Sequence, residues 1–107
     1  MRTFISSVLL GSVLVFQAAA SAAGDFTISS PAFKDGGTIA MDQVFNSFGC
    51  TGGNHSPALS WSGAPAGTKS FAVTIYDPDA PTGSGFWHWT VFNIPASVTQ
   101  LSADAGN

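Results

Sequence analysis

The sequence predicts an all-β fold of short antiparallel strands, and three observations carry that expectation. Apolar residues beyond position 25 recur with a spacing of two, Gly, Pro, Asn and Ser interrupt them about every ten residues, and no stretch has the period of a useful amphipathic helix. In residues 26–30, Phe26 and Ile28 alternate with Thr27 and Ser29, which predicts a first strand with its two apolar side chains turned inward. Pro31 and Asp35-Gly36-Gly37 supply turn chemistry behind it. Residues 41–48 have no clean period and run into Gly49-Cys-Thr-Gly-Gly-Asn-His-Ser-Pro57, a composition that only a loop accommodates easily. A short strand resumes at Leu59-Ser60-Trp61.

Residues 70–76 place Phe71, Val73 and Ile75 on one face and Ala72, Thr74 and Tyr76 on the other. With both faces largely apolar, the segment is expected as a central strand. Residues 86–93 are equally β-prone, and a period of two puts Trp87, Trp89 and Val91 on one face and Phe86, His88, Thr90 and Phe92 on the other. This strand is also expected to be central. Between the two lies a stiff connection, 77–85, rich in Pro and Gly, and the chain closes on loop-like residues 102–107.

Residues 1–22 stand apart from the fold. Arg2, a mainly apolar run over 4–16 and small residues over 17–24 follow the order of a secretory signal. The apolar run is shorter than the roughly 20 residues that a span requires. It is also broken by Ser6, Ser7, Gly11 and Ser12, so no stable membrane anchor is expected. Ala20-Ser21-Ala22 fits the small-x-small cleavage rule, with Ala18-Ala19-Ala20 and Ser21-Ala22-Ala23 nearly as suitable, and would start the mature chain near Ala23. The protein is therefore expected in the periplasm or outside the cell, with residues 23–107 as one small domain.

Loss of Arg2 leaves Lys34 and Lys69 against six aspartates and moves the formal charge from −3 to −4. Such a surface repels phosphate backbones and anionic membranes, and no basic stripe accompanies the aromatic residues. Nucleic acid is excluded as a partner on these grounds.

The most unusual local sequence is Asp77-Pro78-Asp79-Ala80-Pro81, two carboxylates stiffened by two prolines at the exit of a strand. The same residues also suit an ordinary turn in which carboxylates accept backbone N–H groups. His88 weights the choice, because an imidazole in the middle of an apolar strand needs a partner, and Asp77 or Asp79 becomes one if the two strands pair. An aspartate-paired imidazolium beside backbone donors suits a phosphate oxygen.

His55 carries no such argument and is expected as an exposed loop residue. Trp61, Trp87 and Trp89 are expected as core and sheet-surface aromatics. Gly-x-Ser-x-Gly, His-Glu-x-x-His, Walker and Cys-x-x-Cys motifs are absent, and the two histidines lack a metal-motif spacing. No catalytic residue, metal or cofactor is expected. A hydrolase built on Asp77, Asp79 and His88 lacks a nucleophile or a metal set and ranks last. Cys50 is the single cysteine of an exported chain, either a tolerated free thiol or half of a disulfide whose partner is absent.

Five segments together carry a family resemblance. They are Phe48-Gly-Cys-Thr-Gly-Gly-Asn-His-Ser-Pro57, Leu59-Ser-Trp61, Ala64-Pro-Ala-Gly-Thr-Lys-Ser-Phe71, Tyr76-Asp-Pro-Asp-Ala-Pro-Thr-Gly-Ser-Gly85, and Trp87-His-Trp89 through Asn93-Ile-Pro95. Over essentially all of 25–107 the chain resembles the phosphatidylethanolamine-binding proteins, in their bacterial YbhB/YbcL-type, Raf kinase inhibitor-like branch.

The resemblance implies an antiparallel two-sheet fold, of which this chain holds the N-terminal part only. It implies a non-catalytic pocket for phosphate-like anions or a phosphoethanolamine head group. Asp77 matches the pocket aspartate, Pro81 the lining proline, His88 the strand histidine and Phe86 an aromatic wall, with Asp79 beside them. Family members continue through further strands, a Cys-Pro-Pro-type loop and a second His-containing motif, so the chain is expected to be a fragment with open strand edges and one wall of the pocket. In exported relatives Cys50 looks placed to pair with the cysteine of the missing loop, leaving an orphan thiol here. An alternative implied by the name of the branch is an inhibitor or scaffold that engages a partner protein through surface loops such as 49–57. The remaining possibility is a fragment that neither folds nor binds.

Overall fold

A computed structural model describes residues 24–106, and the predicted signal over residues 1–22 lies outside them. The described chain contains five strands and no helix: β1 Thr27–Ser29, β2 Leu59–Ser62, β3 Ser70–Asp77, β4 Phe86–Pro95 and β5 Gln100–Leu101. They form two antiparallel sheets, one in the order β1-β2-β5 and one of β3 with β4. The predicted all-β, two-sheet architecture is therefore the one observed.

In the three-stranded sheet the alternation of polar and apolar residues sets the faces. Thr27 lies opposite Ser62 and Ser29 opposite Ser60. Their hydroxyls meet across the strands at 3.3 Å and 3.1 Å, making one face polar. Ile28 opposite Trp61, and Leu59 opposite Leu101, make the other face apolar. β5 has no counterpart in the sequence reading, because two residues are too few to display a period. A turn closed by Val98 N–H on the Pro95 carbonyl (2.9 Å) returns the chain from β4, and Trp61 N–H donates to the Thr99 carbonyl (2.9 Å) to anchor it.

The apolar faces of the two sheets meet in a small core. Leu59, Trp61, Val73 and Ile94 are buried, and Phe33, Phe71, Trp89, Val91, Val98 and Leu101 pack against them half-buried. The Trp61 and Phe71 rings meet edge-on at 5.4 Å, which suits the ring quadrupoles. Phe26 and Ile28, expected inward, are 56% and 60% exposed. Their side of the strand is the predicted one, and Phe26 stacks on Phe71 at 6.0 Å, but β1 is a three-residue edge with no further layer over it. β3 and β4, expected as central, pair only with each other among the described residues.

The β3–β4 ladder departs from a simple period of two. Ser70 and Phe71 face Pro95 and Ile94, Val73 to Ile75 face Val91 to Trp89, and Tyr76 and Asp77 face Trp87 and Phe86. β4 thus holds one extra residue near Phe92 and Asn93, where Asn93 takes φ 57°, and a second at His88. The bulge at His88 corrects the predicted faces. Trp89 pairs with Ile75 on the core side, whereas Trp87 pairs with Tyr76 on the opposite side, so the two tryptophans do not share a face. The Tyr76 and Trp87 rings sit 4.5 Å apart on that outer side.

The connection 78–85 is pinned by Tyr76, whose hydroxyl donates to the Ser84 carbonyl at 2.7 Å. Gly85 has φ 73°, and a Cβ there would run into the Tyr76 hydroxyl. Gly85→Ala therefore combines a left-handed backbone with a clash; it is expected to destabilise the chain by about 1–3 kcal/mol, read in chemical denaturation, and to detach Tyr76 from Ser84. Trp61→Ala removes the largest member of the core and is expected to cost about 3–5 kcal/mol. In a core of this size that loss abolishes the cooperative melt followed by circular dichroism.

Candidate functional site

Pairing of β3 with β4 brings together the residues singled out in sequence. Asp77 ends β3 directly opposite Phe86, the first residue of β4. His88 is the additional residue of the adjacent bulge, and the altered phase returns its side chain to the side of Asp77 and Phe86. Its Nε2 lies 3.6 Å from Asp77 Oδ2, and its ring meets the Phe86 ring edge-on at 5.0 Å. The imidazole is thus fixed by a ring on one flank and a carboxylate on the other.

The 3.6 Å separation exceeds a hydrogen bond and is an ion-pair distance only for the protonated imidazole. The other carboxylate oxygen, Asp77 Oδ1, accepts the Asp79 backbone N–H at 2.9 Å. Both readings of the Asp-Pro-Asp segment therefore hold at once, since Asp77 closes a turn with one oxygen and faces His88 with the other. The His88 and Asp77 side chains are 49% and 42% exposed, so the imidazole is not the buried group that its apolar strand suggested. Exposure follows from its place at the bulge near the hairpin end, beyond the core pairs.

Asp79 and Pro81 do not join this contact. Asp79 participates through its N–H, and of the two aspartates open to pairing with His88 it is Asp77 that faces the imidazole. Pro81 is exposed on the connection. The two grooves along β1 and β3 are lined by none of Asp77, Pro81, Phe86 or His88. What the described residues provide is an open surface site with one ordered histidine–aspartate pair and one aromatic wall.

His55 is an exposed loop residue, as expected, and its Nδ1 lies 3.6 Å from Asp42 Oδ1 and 3.9 Å from Asp104 Oδ2. The loop and the final turn are held together by the backbone as well. His55 N–H donates to the Asp42 carbonyl (3.0 Å) and Asp104 N–H to the Ser56 carbonyl (3.0 Å). No local signal in the sequence links residues so far apart. Among the described residues no group of three or more His, Cys, Asp or Glu side chains is placed to hold a metal ion, and Cys50 is a free, exposed thiol.

Comparison with known proteins bears on these residues as a set. Residues 29–107 match the family model for phosphatidylethanolamine-binding protein. The chain is 55% identical over 102 residues to the UPF0098 protein YbcL of Escherichia coli K12, a match covering 95% of this chain and 56% of that protein. It is 54% identical over 74 residues to the UPF0098 protein YbhB of the same organism, covering 69% of this chain and 47% of that protein. The crystal structure of E. coli YbcL, described as a new member of the mammalian PEBP family, superimposes with a TM-score of 0.74 at 62% identity. That superposition covers 77% of this chain and 50% of the YbcL chain. The chain spans about half the length of the curated relatives it matches. On the family model, the sequence identity and the fold together, the chain belongs to the phosphatidylethanolamine-binding protein family.

Proposed function

We propose that this chain contributes to a non-catalytic, exported binding protein whose site takes a small anionic group, phosphate or the phosphoethanolamine head group, at His88 and Asp77. The observation that carries the reading is the placement of His88 at a bulge, 3.6 Å from Asp77 Oδ2, with the carboxylate itself ordered by Asp79 N–H. A bulge re-aims one side chain while the ladder on either side stays rigid. Protonated His88 supplies the positive group for a phosphate oxygen, and Asp77 holds the ring. A zwitterionic head group uses both charges, its phosphate at His88 and its ammonium at Asp77. Phe86 forms the wall behind the imidazole.

Family membership is in keeping with a binding role.

Calorimetric titration of the protein with inorganic phosphate and with phosphoethanolamine tests the assignment. His88→Ala is expected to weaken both ligands at least about ten-fold, or about 1.4 kcal/mol. Asp77→Asn is expected to weaken phosphoethanolamine more than phosphate, because only the former brings an ammonium. Equal affinities for the wild type and His88→Ala would remove His88 from the site. Export has its own check: mass spectrometry of the protein expressed with residues 1–22 in a bacterial host is expected to find a periplasmic species beginning near Ala23. A cell-associated species that keeps Arg2 would contradict it.

A further inference from the structure

On its own side of the ladder His88 meets a half-exposed Asp77 carboxylate at 3.6 Å and the edge of the Phe86 ring. An exposed charge pair of this kind contributes little to holding a bulge in place. The opposite side is built more firmly. There Tyr76 lies across from Trp87 with the ring centroids 4.5 Å apart, and the Tyr76 hydroxyl reaches past the end of the ladder to the Ser84 carbonyl at 2.7 Å. The connection that receives it is braced in turn, because the Thr82 hydroxyl donates to the Gly85 carbonyl and accepts the Ser84 N–H. Gly85 leaves the room that the tyrosine occupies. One aromatic side chain therefore ties β3, β4 and their connection together.

The register without the extra residue follows from the ladder itself. Ile75 opposite Trp89 would be succeeded by Tyr76 opposite His88 and Asp77 opposite Trp87. Pairing would again stop at Asp77, since Pro78 has no N–H to carry it on, so the straight ladder engages the same stretch of β3. What it loses is the contact between Tyr76 and Trp87. His88 would turn to the outer side, and Trp87 would take the place beside Asp77. Both aromatic side chains are exposed, so the core does not account for their pairing.

We infer that Tyr76 and Trp87 are positioning residues of the anion site: their contact locks the bulge from the outer side of the hairpin and thereby aims His88 at Asp77. They set the fraction of molecules whose imidazole is presented to a ligand, and apparent affinity scales with that fraction. The inference rests on the assignment of a phosphate-type ligand to His88, but the register has a readout that needs no ligand. Nuclear Overhauser contacts of residue 76 across the ladder fall on residue 87 in the bulged form and on His88 in the straight one.

The test combines these contacts, measured without ligand, with calorimetric titration of inorganic phosphate. Trp87→Ala and Tyr76→Leu are each expected to move the cross-strand contact to His88 and to weaken phosphate about five-fold, the scale of one aromatic pair. Trp87→Phe keeps a ring at the position and is expected to restore both. Because the two side chains act as one lock, the double variant should lose no more than either single variant. The near-ultraviolet signal of buried Trp61 reports that each variant is folded, and Tyr76→Phe, which gives up only the bond to Ser84, carries the test if Tyr76→Leu does not fold. Contacts of residue 76 that stay on residue 87 in Trp87→Ala would overturn the inference, as would losses that multiply in the double variant. If the wild type takes no phosphate and Trp87→Ala still shifts the register, the ligand assignment falls and the positioning of His88 stands.

Discussion

The feature on which the arrangement depends is the additional residue that β4 carries at His88. Side chains in a strand alternate strictly, so a ladder without this bulge would continue the core phase of Trp89 and Val91 through Trp87. Trp87 would then occupy the side of Ile75, and His88 would turn away from Asp77. The bulge breaks that phase once. Core packing therefore proceeds undisturbed from Trp89 to Val91, while beyond it Phe86, His88 and Asp77 gather at the hairpin end. A second offset near Asn93, a residue at positive φ, brings Ile94 back onto the core side three positions after Val91.

The core that this ladder helps to build is small for its work. Among the described residues four buried side chains join the two sheets, and β1 and β3 each pair along one edge only. Hydrophobic burial scales with area removed from water, so large side chains left exposed, such as Phe26, Ile28, Trp87 and Phe92, contribute little in the isolated chain. A two-stranded sheet also needs a packed face to persist. The β3–β4 pair gets one from Trp61 and Leu59.

Much of this was legible in the sequence because it rests on local chemistry. The alternation of Thr27, Ile28 and Ser29 and of Leu59, Ser60 and Trp61 reports strand faces directly, and the Pro- and Gly-rich stretch after Tyr76 reports the hairpin. The meeting of Asp77 with His88 was legible once the two strands were assumed to pair. What stayed hidden depends on partners distant in the chain. A bulge has no mark of its own in residues 86–95, so a strict period of two gives Trp87 and His88 faces that the ladder does not keep. β5 is too short to signal itself, and His55 acquires Asp42 and Asp104 only when the final turn folds back over the loop. The exposure of Phe26 and Ile28 is of the same kind, since an apolar side chain states which way it should face and not what covers it.

The order of strands has a consequence in time. β2 must wait for β5, some forty residues later, and the entire β3–β4 hairpin lies between them. Local contacts form before those that close long loops, so the hairpin assembles first and its far end then carries residues 100–101 back to β2. Val98 N–H on Pro95 and Trp61 N–H on Thr99 are the contacts that complete this return. On a ribosome, Trp61 is synthesised well before the strand that seals it into the sheet. Until residue 101 has emerged, the largest side chain of the core depends on β1 and the hairpin alone for shelter, and the nascent chain is at its most adhesive.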